Sequence, residues 1–244
     1  MKKLSQYINI RKGKSTIKAT KDTIKDIIAE EIAEFGNDAD LNHIDVSGVT
    51  SLYCAFYDPI SSLGSGNKLK NINPDVSKWD THNVKHMGRC FYCCENFNSD
   101  VSMWDTSNVI DMTEMFSMCR RLKDVSFSNW DTRNVERMGS MFFNDPDFEG
   151  NGLENWDVRK VESMLNMFGW CVSFNCDLSG WETNHLKYMS GMFNHCKKFN
   201  QDLSRWDVSH LDFDSPIAPT FDYFMSITFS ECPMPKKFYP KFKK

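Results

Sequence analysis

Two patterns of apolar and polar residues alternate along the chain. The first is Leu-x-x-Trp-Asp-Val, seen as Leu203-Ser204-Arg205-Trp206-Asp207-Val208. Its Trp recurs at Trp79, Trp104, Trp130, Trp156, Trp181 and Trp206, at spacings of 25, 26, 26, 25 and 25 residues. Leu41-x-x-Ile44-Asp45-Val46 occupies the same frame earlier, so the period covers seven units. A fixed period of this length predicts a repeat architecture. The second pattern starts eight residues after the Trp and places apolar residues at i, i+3, i+4 and i+7: Met112, Met115, Phe116 and Cys119, and likewise Met164, Met167, Phe168 and Cys171, and Met189, Met192, Phe193 and Cys196. That spacing predicts one stripe of a helix of roughly two to three turns. The fourth unit ends its pattern in Asp145-Pro146, which predicts an early helix stop. Each unit thus reads as strand, turn, helix and return.

The ends differ from the repeats. Residues 1 to 19 alternate weakly and predict a short strand pair or an extended arm. Ile24, Ile27, Ile28, Ile32 and Phe35 fall at helical spacing, with Thr20 as N-cap and Gly36 as stop, which predicts an amphipathic capping helix. An insertion rich in Ser, Gly and Pro, Asp58 through Asn67, predicts a surface loop in the first unit. The last unit loses the Met-Phe pattern to a segment rich in Phe and Tyr and a basic end. The division is an N-terminal cap at 1–40, seven units at 41–211, and a C-terminal cap and tail at 212–244. The fold expected is one elongated α/β repeat domain. It is a leucine-rich-repeat-like solenoid, with parallel strands on one face, short helices on the other, and capping segments at both ends.

The stretches Phe199-Asn200-Gln201-Asp202-Leu203-Ser204-Arg205-Trp206-Asp207-Val208-Ser209 and Asp105 to Phe116 carry a resemblance. They resemble the BspA-type leucine-rich repeat, also called the mycoplasma-lipoprotein repeat, over about residues 41 to 211. The resemblance implies a binding scaffold, since relatives are surface adhesins of bacteria and protists and similar arrays occur in gut bacteria and their phages. It implies no catalytic residues.

Composition narrows the function classes. Lys and Arg number 29 against 33 Asp and Glu, a balance with no general pull toward nucleic acid or anionic membrane. No apolar run of ~18 residues predicts a membrane span, and the start of the chain is too polar for a signal-peptide core. A cytoplasmic protein, or a virion-associated one if phage-encoded, is expected. The nine cysteines are odd in number and predict reduced thiols rather than disulfides. Cys94, Cys119, Cys171 and Cys196 form a column on the apolar stripe, read as core packing rather than zinc ligation. His185 and His210 take the place that Asn83, Asn108 and Asn134 hold in other units. No nucleophile triad, paired catalytic carboxylates or phosphate loop is present, so no enzyme, metal or cofactor is expected.

Two columns remain. Asp45, Asp80, Asp105, Asp131, Asp157, Glu182 and Asp207 follow the Trp position, and stacking them at ~4.8 Å demands an offset for like charges. Backbone amides of the following turn supply one, with a cation or a basic partner as the alternative. In the Leu-x-x-Trp-x-Val frame the Trp column faces the core, while the positions beside it face solvent and vary between units. The candidate binding residues are therefore Lys78, His82, Met103, Arg133, Arg159 and Arg205, with Arg133 and Arg159 able to clamp a carboxylate or phosphate or, alternatively, simply to balance the acidic column. The basic, aromatic tail from Pro235 reads as a docked end or, alternatively, as a segment that engages a partner or an anionic surface. The function expected is a non-catalytic scaffold for an unidentified protein partner, bacterial or phage-encoded. The alternatives are a surface adhesin and a structural component of a larger assembly such as a virion.

Overall fold

The computed structural model describes residues 16–58, 67–212 and 220–242. The predicted N-terminal arm as far as residue 15, most of the insertion (59–66), residues 213–219 and the last two lysines lie outside the described residues. Strand β1 (Ile17–Lys18) pairs in parallel with β2 (Ile44–Asp45), which occupies the Trp-Asp place of the first unit. Helix α1 (Ile24–Phe35) buries Ile24, Ile27, Ile28 and Ile32 and stops at Gly36, whose φ of +87° lets its amide return to the Ile32 carbonyl. Two expectations shift here. The N-cap is Thr23, while Thr20 supplies the carbonyl that receives the Ile24 amide. Phe35 points to solvent, and the buried place falls to Glu31, which pairs with His43 Nε2 at 3.1 Å.

The helices predicted for the second pattern are absent; two consecutive tight turns take their place. In the third unit the Met115 amide returns to the Met112 carbonyl and the Cys119 amide to the Phe116 carbonyl. The third residue of each turn, Glu114 and Met118, has positive φ (54° and 64°), as a type II turn requires. The same signature marks Arg89 and Cys93, Ser140 and Asn144, Asn166 and Trp170, and Gly191 and His195. Both ends of such a turn face one side, so two turns in series reproduce the i, i+3, i+4, i+7 stripe of a helix. Their backbones are used differently. The amides of Met112, Glu114, Phe116 and Met118 donate to Arg137, Gly139, Met141 and Phe143 in the next unit. Those of Met115, Ser117 and Cys119 close turns, and Thr113 donates to the Asp111 carboxylate at 3.0 Å. Every amide from Met112 to Cys119 therefore has an acceptor. A non-glycine residue at positive φ costs about 1–2 kcal/mol. A buried amide left without its acceptor costs about 1–3 kcal/mol, so several inter-unit bonds outweigh two strained residues.

A parallel ladder runs through the residues just before each first turn: Ser51, His86, Asp111, Arg137, Ser163 and Tyr188. Inside it, phenylalanines stack along the array from Phe56 through Phe91, Phe116, Phe142, Phe168 and Phe193, with centroids 4.7–6.0 Å apart. On the other side of the core the six repeat tryptophans are 2–4% exposed. Stacked indole pairs lie 5.9, 6.2 and 6.0 Å apart. Each indole Nε1–H donates to a carbonyl one unit back, at 2.9–3.1 Å: Trp79 to Leu41, Trp104 to Val76, Trp130 to Val101, Trp156 to Phe127, Trp181 to Leu153 and Trp206 to Leu178. That carbonyl also accepts the amide three residues later in its own unit. Thr81, Thr106, Thr132 and Thr183, buried beside the Asp, donate their hydroxyls to the Asp carbonyl of the following unit. Asn67 closes the neck of the insertion, giving its side-chain amide to the Phe56 and Tyr92 carbonyls.

The last unit keeps half of the second pattern. Helix α2 (Phe221–Thr228), capped by the Thr220 side chain, leads into Phe229-Ser230-Glu231-Cys232. Phe229 stacks on Phe193 at 5.9 Å, Glu231 has φ 53°, and the Cys232 amide returns to Phe229. The Phe193 and His195 amides donate to Thr228 and Ser230, so this segment continues the ladder instead of replacing it. The tail then folds back. Phe238 accepts the Leu203 amide, Tyr239 stacks on Phe229 at 4.1 Å, and Phe242 meets the rings of Phe221 and Phe224.

Trp130→Phe keeps a ring in the stack but removes a buried donor and core volume. Urea unfolding is expected to show a loss of about 1–3 kcal/mol.

Candidate binding site

The column after the Trp is held by its own turns. Asp45, Asp80, Asp105, Asp131, Asp157 and Asp207 each accept the amide two residues on, at 2.9–3.3 Å. A second set of such turns precedes the Trp at Asp40, Asp75, Asp100, Asp177 and Asp202. The Ser47 side chain, and then its amide, hold the Asp45 carboxyl below the usual carboxylate range; Ser107 does the same for Asp105, and the Arg159 side chain leads at Asp157. These bonds supply the offset that stacked like charges require.

All six candidate residues are exposed on this face, in five of the stacked units. Their partners change the picture of the clamp. Arg133 Nε pairs with Asp131 Oδ1 at 2.8 Å, and Arg159 forks onto Asp157 at 2.9 and 2.6 Å. Both guanidinium groups are thus engaged by the carboxylate two residues before them, the charge-balancing arrangement rather than a free clamp. The two ion pairs sit side by side in a shallow cleft of about 500 Å³, with Asn129 and Asn155 at its rim. His82 similarly bonds Asp80 through Nδ1 at 2.7 Å. Met103 stands out at 73% exposure, a bare thioether beside charged neighbours. The face therefore offers alternating charge and one apolar projection, a surface that suits a protein better than a single anion.

A second depression was visible only as an irregularity of spacing. The returns into Trp130 and Trp156 each carry the extra residue of the two 26-residue intervals. A groove of about 580 Å³ opens there, lined by Ser128, Glu149, Asn151, Glu154, Asp177 and Lys198 among others. Gly152, at φ +92°, passes so close to Ser128 that a Cβ would stand 2.3 Å from its backbone nitrogen. Cys176 lies in this groove 3.5 Å from Glu154 Oε2, and burial pushes its thiol up to about 12.

The opposite, turn-bearing face holds residues that the helical reading left unremarked. Tyr53 is 56% exposed, and Trp170 is 44% exposed and stacks on His195 at 3.8 Å. His195 in turn pairs with Glu231 at 3.3 Å. Arg89 forks onto Glu114 at 2.9 and 3.0 Å and lies over the Tyr92 ring. The legible signal was an aromatic at non-stripe places of the second pattern: Tyr53, Tyr57, Tyr92, Phe143 and Trp170.

The buried thiols of Cys94, Cys119, Cys171 and Cys196 donate to carbonyls of Phe56, Phe91, Phe142 and Phe168 in the preceding unit, at 2.8–3.5 Å. Burial pushes each of them well above its ordinary value, which suppresses thiolate chemistry. Among the described residues no group of three or more His, Cys, Asp or Glu is placed to hold a metal ion. Nor is any described helix long and apolar enough to cross a membrane.

Comparison with known families gives one match: the family described as "Mycoplasma protein of unknown function, DUF285" matches residues 29–126 and again 120–217. No curated protein and no solved structure matches significantly.

Asp131→Asn with Asp157→Asn keeps the turn acceptors while releasing both guanidinium groups. In thermal-shift titrations with inorganic phosphate, the double variant is expected to gain a stabilisation that the wild-type chain does not show.

Proposed function

We propose a function for this chain, which belongs to the family of mycoplasma proteins of unknown function DUF285: a non-catalytic scaffold that binds another protein. In this reading the array is a leucine-rich-repeat-like solenoid of the BspA type, with paired turns where related arrays are expected to carry helices. It works inside a bacterial cell or as part of a phage. The observation that carries the reading is the contrast between frame and surface. Buried positions repeat nearly without change, whereas Lys78, Met103, Asn129, Asn155, Gly180 and Arg205 place five different residue types in the six positions of one outward column. Such a surface codes for one partner through its sequence of side chains along the axis. Residues facing solvent there, namely Met103, Arg133, Arg159 and Arg205, make the contact, with the pairs Arg133–Asp131 and Arg159–Asp157 pre-set in orientation. Pre-set side chains lose little freedom on binding.

The test is quantitative capture from the native host with four substitutions on this face, Met103→Asp, Arg133→Glu, Arg159→Glu and Arg205→Glu. A partner held by the wild-type chain is expected to weaken by about tenfold or more, equivalent to ~1.4 kcal/mol. Tyr53→Ser with Trp170→Ser, on the opposite face, is expected to retain it. Equal capture by the wild-type chain and the four-residue variant would remove this face from the mechanism. Recovery of the protein at the cell exterior would favour the adhesin alternative, and many copies in one particle the structural one.

A further inference from the structure

One position in the thiol column departs from the rest, and its surroundings define what it must be. At Cys119, Cys171 and Cys196 the side chain faces two groups of the preceding unit. One is a Phe carbonyl, which accepts the S–H: Cys119 to Phe91 at 3.1 Å, Cys171 to Phe142 at 2.8 Å and Cys196 to Phe168 at 3.0 Å. The other is the amide of the residue below it in the column: Cys94 for Cys119, Asp145 for Cys171 and Cys171 for Cys196. In the fourth unit the seat is taken by Asp145, which is fully buried. The Cys119 amide faces it, as the column dictates. By register, the carbonyl opposite is that of Phe116.

Neither carboxyl oxygen of Asp145 has a partner at hydrogen-bonding distance. An ionised carboxylate cannot face a carbonyl oxygen in a dry core, because two acceptors repel and the charge is unsolvated. A neutral acid suits the seat: one oxygen can accept from the Cys119 amide that faces it, and the hydroxyl can donate to the Phe116 carbonyl as a thiol would. We infer that Asp145 is a carboxylic acid kept protonated by the native fold, where it stands in for cysteine, and that its ionisation is the event that loosens the array at its fourth unit.

The titratable and charged groups around it are few. Cys119 and Cys171 lie below and above it, both neutral, and Arg120 is the one cation that acts on it. Desolvation outweighs the amide and the arginine, so the carboxyl is held well above its usual range. The sign follows from linkage. The stabilising contribution of the neutral acid is complete below the unfolded value of ~3.9. It is lost as pH rises toward the raised native value, because over that window the unfolded chain gives up a proton that the native chain keeps.

Two measurements on the full chain test the assignment. In carbon-detected NMR of the wild-type protein, the Asp145 carboxyl, assigned by its absence in Asp145→Asn, is expected to stay protonated where ordinary carboxylates ionise. Titration of that signal together with the other aspartates near pH ~4 would overturn the proposal. Urea unfolding of the wild type, Asp145→Asn and Asp145→Cys supplies the second. Asn can donate and accept in the same seat without a titrating proton. Relative to Asp145→Asn, the wild-type folding constant is expected to fall by close to tenfold per pH unit above ~4, until the native acid ionises. Parallel pH profiles for wild type and Asp145→Asn would equally overturn it, whether or not Asp145→Cys folds.

Discussion

The array depends on hydrogen bonds that leave each unit for the next. Within Met112–Cys119, four amides have their acceptors in the following unit, and the Trp indoles reach carbonyls in the preceding one. A unit taken alone would leave these groups in apolar surroundings without partners, at about 1–3 kcal/mol apiece. No unit is therefore a folding domain; the smallest stable object is a stack with closed ends. This explains the form of the two ends. Strand β1 and the residue after it supply donors to the first unit, where Ile17 and Ala19 donate to the carbonyls of His43 and Asp45. At the other end the carbonyls of Thr228 and Ser230 answer the amides of Phe193 and His195.

Spacing decides between turns and helices. Phenylalanines of successive units sit at most 6.0 Å apart across the core, and the closest stacked tryptophans are at 5.9 Å. Helices pack at about 8–10 Å between axes. A helix in every unit would splay the Phe side of the stack away from the Trp side and pull the Trp ladder apart. Paired turns occupy the thickness of one extended chain, so the two sides keep step.

The period, the buried Trp column and the turn-fixing aspartates were legible because each follows from local geometry repeated in register. The apolar stripe from Met112 to Cys119 was not, since the same spacing serves two turns or one helix. Only the inter-unit use of the backbone separates them, and that leaves no mark in one unit's residues. A weaker clue lay in the glycines, with Gly88, Gly139, Gly169 and Gly191 scattered through segments where a helix would prefer alanine. Phe229-x-x-Cys232 preserves half the pattern at the expected spacing from its partner residues, but the helix before it disguises the continuity. The candidate residues were legible as a solvent-facing column and not as chemistry. Whether an arginine is free depends on a carboxylate two residues away turning toward it, as Asp131 does toward Arg133. Asp145 read as a helix stop because a polar residue was unexpected on the stripe.

Similar steps on the Trp and Phe sides have a geometric consequence for recognition. An array that widens on one side bends into an arc and presents a hollow in which a rounded partner can nest. Here the Phe rings advance by 4.7–6.0 Å and the stacked Trp pairs by 5.9–6.2 Å, so the outward columns are ruled at a nearly constant step. Side chains in such columns work as graduations on a rule: Met103, Arg133 and Arg205 stand at distances set by how many units separate them. Inserting or deleting one unit would leave every local contact intact while moving all later marks by one step.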